Sequence, residues 1–499
     1  MPMSRRQFAL STAAAVTVYG NGVMAQQVKR PNVVFVLSDD WRWDAMSAAG
    51  SKIIKTPNID RIANEGARFA NAFCTTSLCS PSRASFLSGM YPHIHGVVDN
   101  FTDYPIDKYP SYHASLSQAG YATAYIGKWH MGEGDDSHRK PFDYWASHKG
   151  QGQYYDTEFH VSERVAPGST ETKGERKVIK GYYTHVVTQL ALDWIKRAPR
   201  PFSLQLGHKA PHGKWYPEPK YEHAFDNLDI KKPPLDQLVN EGTPDWVKKR
   251  VATWHGIDGP LYEMKDFADF IRGYYGTILS VDDSIGALYA ALQEMGELDN
   301  TIFVVAGDNG FLLGEHASID KRTAWEESIR IPMLVRYPPA IAKGTVVDEL
   351  VMNMDLAPTV LDLTNVKPPA AAPKMQGLST KPLFGKTKPK DWRKSVYYQY
   401  NFEKEFPYTP NVRAVRTDEW IYMHYPNGGS APDTEKAELY NIKTDSREMN
   451  NLIDKPQYAA KQRELKAELL RLQTVTGALP DKMPQSPALS FAMPDAAIR

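Results

Sequence analysis

The pattern that most limits the fold is a set of short apolar runs, rich in β-branched and aromatic residues, separated by stretches of helical periodicity. The runs cover residues 33–37, 121–126, 202–206, 302–306 and 332–335. Uninterrupted apolar character suits a strand covered on both faces, as inside a parallel sheet. Between the runs, residues 58–69 and 267–295 carry apolar side chains at helical spacing. This alternation predicts an α/β fold with a large, mostly parallel central sheet flanked by helices. In such sheets functional residues gather beyond the carboxyl ends of the strands.

Residues 366–392 are rich in Pro, Lys and Ala and are expected to form a connector. Beyond it, residues 395–400, 412–416, 420–424 and 438–441 read as short antiparallel strands, and 458–472 as a charged amphipathic helix. The expected layout is a large domain over 26–365, the connector, a smaller C-terminal α+β domain over 393–480 with an antiparallel sheet, and an extended tail over 481–499.

At the N-terminus, Ser4-Arg5-Arg6-Gln7-Phe8 precedes an alanine-rich apolar stretch, and Val23-Met24-Ala25 offers small residues for cleavage. The order resembles a twin-arginine export signal over residues 1–25, the alternative being a short amphipathic helix. It implies twin-arginine export machinery as a partner and a periplasmic or secreted destination. No later apolar run reaches the ~18 residues that span a bilayer, so no stable membrane insertion is expected. Lys and Arg number 59 against 58 Asp and Glu, a net charge of +1. That balance provides no basic field for nucleic acid, and any anion must be recognised locally.

Two strand ends carry oxygen ligands. Asp39-Asp40 follows the first run and Asp308-Asn309-Gly310 follows the fourth. Either alone would serve as a strand-ending turn. Together they suit a hard divalent cation, Ca2+ with Mg2+ as the alternative. The chain has two cysteines, Cys74 and Cys79, too few for a disulfide scaffold or a four-thiolate zinc site. Cys79 reads as a small buried hydrophobe, a disulfide partner of Cys74 or a functional centre, and Cys74 as a buried free thiol.

Cys79-Ser80-Pro81-Ser82-Arg83, followed by Leu87-Ser88-Gly89, resembles the signature of the formylglycine-dependent sulfatases in the alkaline-phosphatase-like superfamily. The resemblance implies that Cys79 is oxidised to formylglycine by a maturation enzyme. It also implies that the hydrated aldehyde attacks sulfur with one hydroxyl and expels sulfate by collapsing through the other. It assigns Asp39, Asp40, Asp308, Asn309 and modified Cys79 to a calcium ion, and Arg83 to the aldehyde hydrate. Gly127-Lys128-Trp129-His130 resembles a family segment whose Lys and His hold the sulfate and the nucleophile. His212, in Ala210-Pro211-His212, and Lys321 match residues that bind sulfate and assist the leaving oxygen. Cations around a sulfuryl group stabilise its developing charge, and an imidazole can protonate an alkoxide leaving group near neutral pH.

Residues 91–100 resemble the bacterial N-acetylglucosamine-6-sulfatase-like branch, as do Phe142-Asp143-Tyr144-Trp145 and residues 150–155. The resemblance implies a sulfated carbohydrate substrate, 6-O-sulfated N-acetylglucosamine or a similar sugar. The Tyr and Trp faces of these segments, Trp145 among them, are expected to stack on sugar rings, and Asp99, Asn100 and Gln151 to bind hydroxyls. His208 reads equally as a site residue or as a structural histidine. The competing readings are an aryl sulfatase, a phosphonate or phosphate ester hydrolase, and a non-catalytic carbohydrate-binding relative.

Overall fold

The run at 33–37 becomes strand β1 (Asn32–Ser38), every residue of which is buried. A computed structural model describes residues 29–166, 168–426, 436–482 and 489–493; the expected export signal and part of the tail lie outside them. The large sheet continues with β2 (Ala67–Phe73), β3 (Ala122–Gly127), β4 (Tyr144–Ser147), β5 (Glu158–Arg164) and β6 (Thr172–Val178). Strands β7 (Phe202–Gly207), β8 (Thr301–Gly307), β9 (Met333–Arg336) and β10 (Thr345–Met352) complete it. Across the sheet the order is β10-β2-β9-β8-β1-β7-β3-β4-β5-β6. The central block from β8 to β4 is parallel throughout.

Two expectations need correction. The run at 332–335 does form β9, but it pairs antiparallel with both β8 and β2. A short buried strand reads the same in either direction, because apolar character carries no information about polarity. The helical pattern at 58–69 ends early, as α1 (Pro57–Glu65), and its last apolar residues enter β2. Gly66 separates the two elements, and a Cβ there would collide with the backbone of Val335. The helix Phe267–Glu294 follows its predicted span, is buried all round near residues 273–278, and shares an apolar core with strand residues such as Val34 and Val305.

The C-terminal strands β11 (Ser395–Tyr400), β12 (Val412–Thr417), β13 (Trp420–Tyr425) and β14 (Lys436–Asn441) form an antiparallel meander. Helix Ala459–Thr476 covers it with Leu465, Leu469 and Leu472. This sheet shares an apolar core with the large one, since Phe69, Val396 and Leu465 belong to one buried cluster. The segment at 366–392 is more than a connector, because Leu383 and Trp392 are buried in that core. Beside Trp392, Arg393 makes a two-pronged ion pair with the buried Asp355, with N–O distances of 2.5 and 2.7 Å.

Parallel register aligns the strand ends that matter. Ser38 lies beside Gly307, Leu37 beside Gly207, and Gly207 beside Gly127. The glycine pair permits a close approach: Gly127 has φ +95°, and a Cβ on it would fall inside contact distance of the Gly207 carbonyl. Lys128 N then donates to Gly207 O at 2.9 Å, turning the chain over the sheet edge. Gly127→Ala should destabilise the protein by more than about 1 kcal/mol in denaturant unfolding, because both the backbone angle and the contact oppose a side chain. Wild-type stability in this variant would show that the turn relaxes freely.

Candidate active site

The acidic residues meet because β1 and β8 are neighbours that end at the same level. Asp308 N donates to Ser38 O at 2.9 Å, and Asp40 N donates to Asp308 Oδ1 at 3.0 Å. Asp40 has a left-handed backbone, φ +58°, and its carbonyl accepts from Tyr274 Oη at 2.8 Å. Asn309 Nδ2 donates to Asp40 Oδ1 at 2.7 Å. Asp39, Asp40 and Asp308 each place an oxygen within 4.8 Å of the others, and all three are buried.

Helix α2 (Cys79–Ser88) brings the cysteine to them. Every one of its residues is buried, despite four serines and an arginine. Burial of that polar surface is tolerated because its groups find partners. Ser82 Oγ donates to Asp308 O, Ser85 Oγ meets Thr75 Oγ1 at 2.8 Å, and Ser88 Oγ donates to Ala84 O at 2.7 Å. Pro81 sits in the first turn, where a missing N–H costs nothing. Gly89 closes the helix in the left-handed conformation, φ +69°. Cys79, in the first turn, has its Sγ 3.2 Å from Asp39 Oδ1 and 3.0 Å from Lys321 Nζ. Cys74 is a buried free thiol, and no disulfide joins the two.

Cations balance the carboxylates. Lys128 Nζ donates to Asp39 Oδ2 and Lys321 Nζ to Asp40 Oδ1. Arg83 Nε donates to Asp308 Oδ2 at 2.9 Å and its Nη1 to Lys128 O at 2.7 Å. Burial raises the Asp39 carboxyl, but Lys128, His212, Arg83 and Lys321 overcome it and hold the group well below the usual carboxylate range. Burial and the Asp39 charge push Asp308 the other way, up to about 7. Burial and the same carboxylate push the Cys79 thiol up, so unmodified Cys79 is a thiol and a poor nucleophile.

A divalent cation fits this donor set. Asn309 Oδ1 is buried and, among the described residues, has no hydrogen-bond partner. With the oxygens of Asp39, Asp40 and Asp308 it makes a hard, all-oxygen cradle. Arg83 Nη2 is likewise buried and makes no hydrogen bond among the described residues, although Asp39 Oδ2 lies 3.9 Å away.

His212 closes the other side, with Nδ1 2.7 Å from Gly213 O and Nε2 3.8 Å from Asp40 Oδ2. Burial first, then the nearby lysines, push its pKa well down, despite the opposing Asp39 charge. His130 Nε2 lies 3.2 Å from Glu133 Oε1, and its carbonyl accepts from Ser80 Oγ, tying the Lys128 loop to α2. The expected residues Asp39, Asp40, Cys79, Arg83, Lys128, His130, His212, Lys321, Asp308 and Asn309 are thus joined by direct contacts among themselves or through α2.

The expected sugar-binding residues divide differently. Gln151 accepts from Lys128 Nζ and lines a cleft of about 880 Å3. Asn100 Oδ1 accepts from Ser80 N at 3.1 Å, so it braces α2. Asp99 Oδ1 is bonded within its own loop, to Phe101 N at 2.9 Å and Thr102 N at 2.8 Å. Trp145 has no face for a sugar: it is fully buried among Tyr125, Trp129 and Phe142, and its Nε1 donates to Asp136 O at 2.9 Å. His208 is also fully buried, with Nε2 3.1 Å from Ser284 Oγ, which makes it a packed structural histidine. Lys209 is the residue that the motifs missed. It lies just past β7, after His208, lines the cleft, and is pushed down to about 7 by burial and by Lys128. Its position just past a strand end was the available signal.

Residues 31–366 match the family model described as Sulfatase, and residues 314–475 match N-sulphoglucosamine sulphohydrolase, C-terminal. The chain belongs to the sulfatase family. It is accordingly a sulfuric ester hydrolase. Among sulfatases it is 35% identical to an N-acetylglucosamine-6-O-sulfatase of Bacteroides thetaiotaomicron, over 88% of this chain and 86% of that one. It is 31% identical to human N-acetylglucosamine-6-sulfatase, over 76% and 69% respectively. A solved protein in complex with its substrate D-glucosamine-2-N,6-O-disulfate superposes with a TM-score of 0.81 at 33% identity, covering 91% of this chain and all of that one.

The buried position of Trp145 in this sulfatase gives a direct check. Trp145→Ala should cost about 3–5 kcal/mol of unfolding free energy, with KM unchanged in the folded fraction. A raised KM at wild-type stability would return Trp145 to the substrate.

Proposed function

We propose that this sulfatase removes the 6-O-sulfate of N-acetylglucosamine or a similar amino sugar, with formylglycine at position 79 and Ca2+ as its cofactors. The observation that carries the reading is the Cys79 side chain held at a helix start between Asp39 and Lys321, 3.2 and 3.0 Å away. Formylglycine would supply a hydrated aldehyde whose hydroxyl can attack sulfur, and Ca2+, which Asp39, Asp40, Asp308 and Asn309 would hold, would supply positive charge to the site.

The chain's own residues do the rest. Arg83 is locked by Asp308 and the Lys128 carbonyl, so its Nη2, which lies 3.9 Å from Asp39 Oδ2 and makes no hydrogen bond, needs little reorganisation to meet an anionic oxygen. Lys321 places its ammonium against the position-79 side chain and on Asp40, and Lys128 places its own on Asp39. The Nδ1–H of His212 donates to Gly213 O, which leaves Nε2 as the atom that takes up a proton and passes it to the leaving oxygen. An anionic ester beside it favours the protonated form.

The cleft supports a sugar rather than a flat apolar leaving group. It is lined by Gln151, Lys149 and Lys209, and it exposes half of Tyr216 and much of Tyr155, two rings suited to a pyranose face. Of the Tyr and Trp faces expected to stack on a sugar, Tyr155 is exposed to do so and Trp145 is not. Maturation by a formylglycine-generating enzyme and export by the twin-arginine machinery belong to the same proposal. Among the described residues no helix is long and apolar enough to cross a membrane.

Mass analysis of the tryptic peptide spanning residues 69–83 from active protein should find formylglycine at 79; finding only thiol would overturn the nucleophile. On matched esters, 6-sulfated N-acetylglucosamine should outrun phosphate and phosphonate analogues, and the reverse order would change the substrate class. His212→Ala should lower kcat on the sugar sulfate by about 10²–10⁴, and far less on an aryl sulfate whose leaving group needs no proton. Equal losses on both would remove His212 as the proton donor.

A further inference from the structure

A second cluster of potential metal ligands lies outside the catalytic centre, where the large and small sheets meet. It comprises His316, in the turn Glu315–Ala317 after β8, Glu327, at the start of the short helix Glu326–Ile329, and Glu448, in the loop after β14. Each offers one ligand atom within 4.8 Å of the other two. They are 4%, 8% and 1% exposed, so the cluster is sealed from bulk water.

Three atoms there are left over. His316 Nε2, Glu327 Oε2 and Glu448 Oε1 are buried and have no hydrogen-bond partner among the described residues. Burying even one such atom without a partner is unfavourable, and two carboxylates are more so. The adjacent Glu326 shows the contrasting, satisfied case: its Oε1 accepts from Arg416 Nε at 2.7 Å, and its Oε2 lies 3.4 Å from Arg330 Nη1. No arginine or lysine is ion-paired with Glu327 or Glu448 among the described residues.

The three side chains are also held in place. The His316 ring stacks on Trp325 with centroids 4.1 Å apart and planes 7° apart. Glu448 Oε2 accepts from Glu326 N at 2.8 Å, which orients the carboxyl and leaves Oε1 free. His316 and Glu448 both adopt left-handed backbones, φ +51° and +53°, disfavoured for residues other than glycine. Conformations of that kind persist where surrounding contacts over-determine them, and they gather at ligand sites. Burial and Arg250 push the His316 imidazole down to about 3, so it is neutral and able to donate a lone pair. Burial and Glu315 push Glu327 up to about 8, so without a cation this pocket disfavours its charged form.

We infer that His316, Glu327 and Glu448 bind a second divalent metal ion, of the zinc class, that fastens the C-terminal sheet to the catalytic sheet. One imidazole with two carboxylates is a borderline donor set, softer than the all-oxygen cradle at Asp308, and it suits a transition ion over Ca2+. Two carboxylates and a neutral imidazole also cancel the charge of a divalent ion. Two of the ligands come from the chain around β8 and β9 and the third from beyond β14, so binding would add to the stability of the junction between the two sheets.

The test uses the full-length protein, stripped with chelator, reloaded with saturating Ca2+ to fill the catalytic cradle, and then titrated with ZnCl2. Wild type should take up about one zinc per chain, read by elemental analysis, and its Tm should rise. Glu448→Gln keeps the acceptor for Glu326 N, and Glu327→Gln preserves side-chain size; each should lose most of the zinc and the Tm rise while still taking up Ca2+. If one variant fails to fold, as judged by Ca2+ uptake, the other decides. No zinc uptake by wild type, or equal uptake by wild type and a folded variant, overturns the inference. So does a wild-type Tm raised by acidification alone, the result expected if the two glutamates merely share a proton.

Discussion

Everything at the sheet edge depends on the balance of charge around Asp39. Its carboxylate is buried and would be expelled from the interior or protonated without compensation. Lys128, Arg83, Lys321 and His212 together hold it ionised, whereas Asp308, only one strand away, is pushed up to about 7. The unlike behaviour of two neighbouring acids follows from geometry. Lys128 spends its ammonium on Asp39, whereas Asp308 must share Arg83 and faces two other carboxylates. Three acids against three fixed cations leave no surplus with which to hold an anion. A divalent cation would supply that surplus, and the buried Asn309 oxygen that lacks a hydrogen bond stands beside the three carboxylates that would hold it.

The smaller sheet is part of the same construction. Gln399 N in β11 donates to Thr75 O at 3.2 Å, and Thr76 Oγ1 donates to Gln399 O at 2.8 Å. Tyr398 Oη lies 3.4 Å from Ser77 N. The loop that leads into α2 is therefore backed by β11 rather than by solvent, and Arg322, next to Lys321, is paired with Glu403 from the same region at 2.6 Å. Position 79 and Lys321 are held from behind by residues more than three hundred positions away from the former.

Much of this was legible in the sequence, for identifiable reasons. Strands β1, β3, β7 and β8 are buried on both faces, so their apolar runs mark them directly. Asp39, Asp40, Lys128, Asp308 and Asn309 then follow close behind the strand ends, whereas His212 and Lys321 lie further along their loops and were marked only by the motifs around them. Helix α2 left no such trace, because its apolar and polar residues are buried alike and periodicity cannot report a helix without an exposed face. Strand β6 was silent for the opposite reason: all seven of its residues are exposed. Trp145 misled because an aromatic residue near a motif looks the same whether it faces a cleft or a core. The direction of β9, the neighbour relations across the sheet and the meeting of His316 with Glu448 are long-range outcomes that no local pattern encodes.

The sealing of Cys79 also orders events in time. The side chain is fully buried in the finished fold, beneath α2, Asp39 and Lys321, and the loop ahead of it is bonded to β11. A catalyst that alters this residue must reach it while the segment is still open, before the C-terminal third of the polypeptide has closed behind it. With the modification proposed for Cys79, modification and folding would be competitors, and a chain that folded first would keep an unmodified thiol.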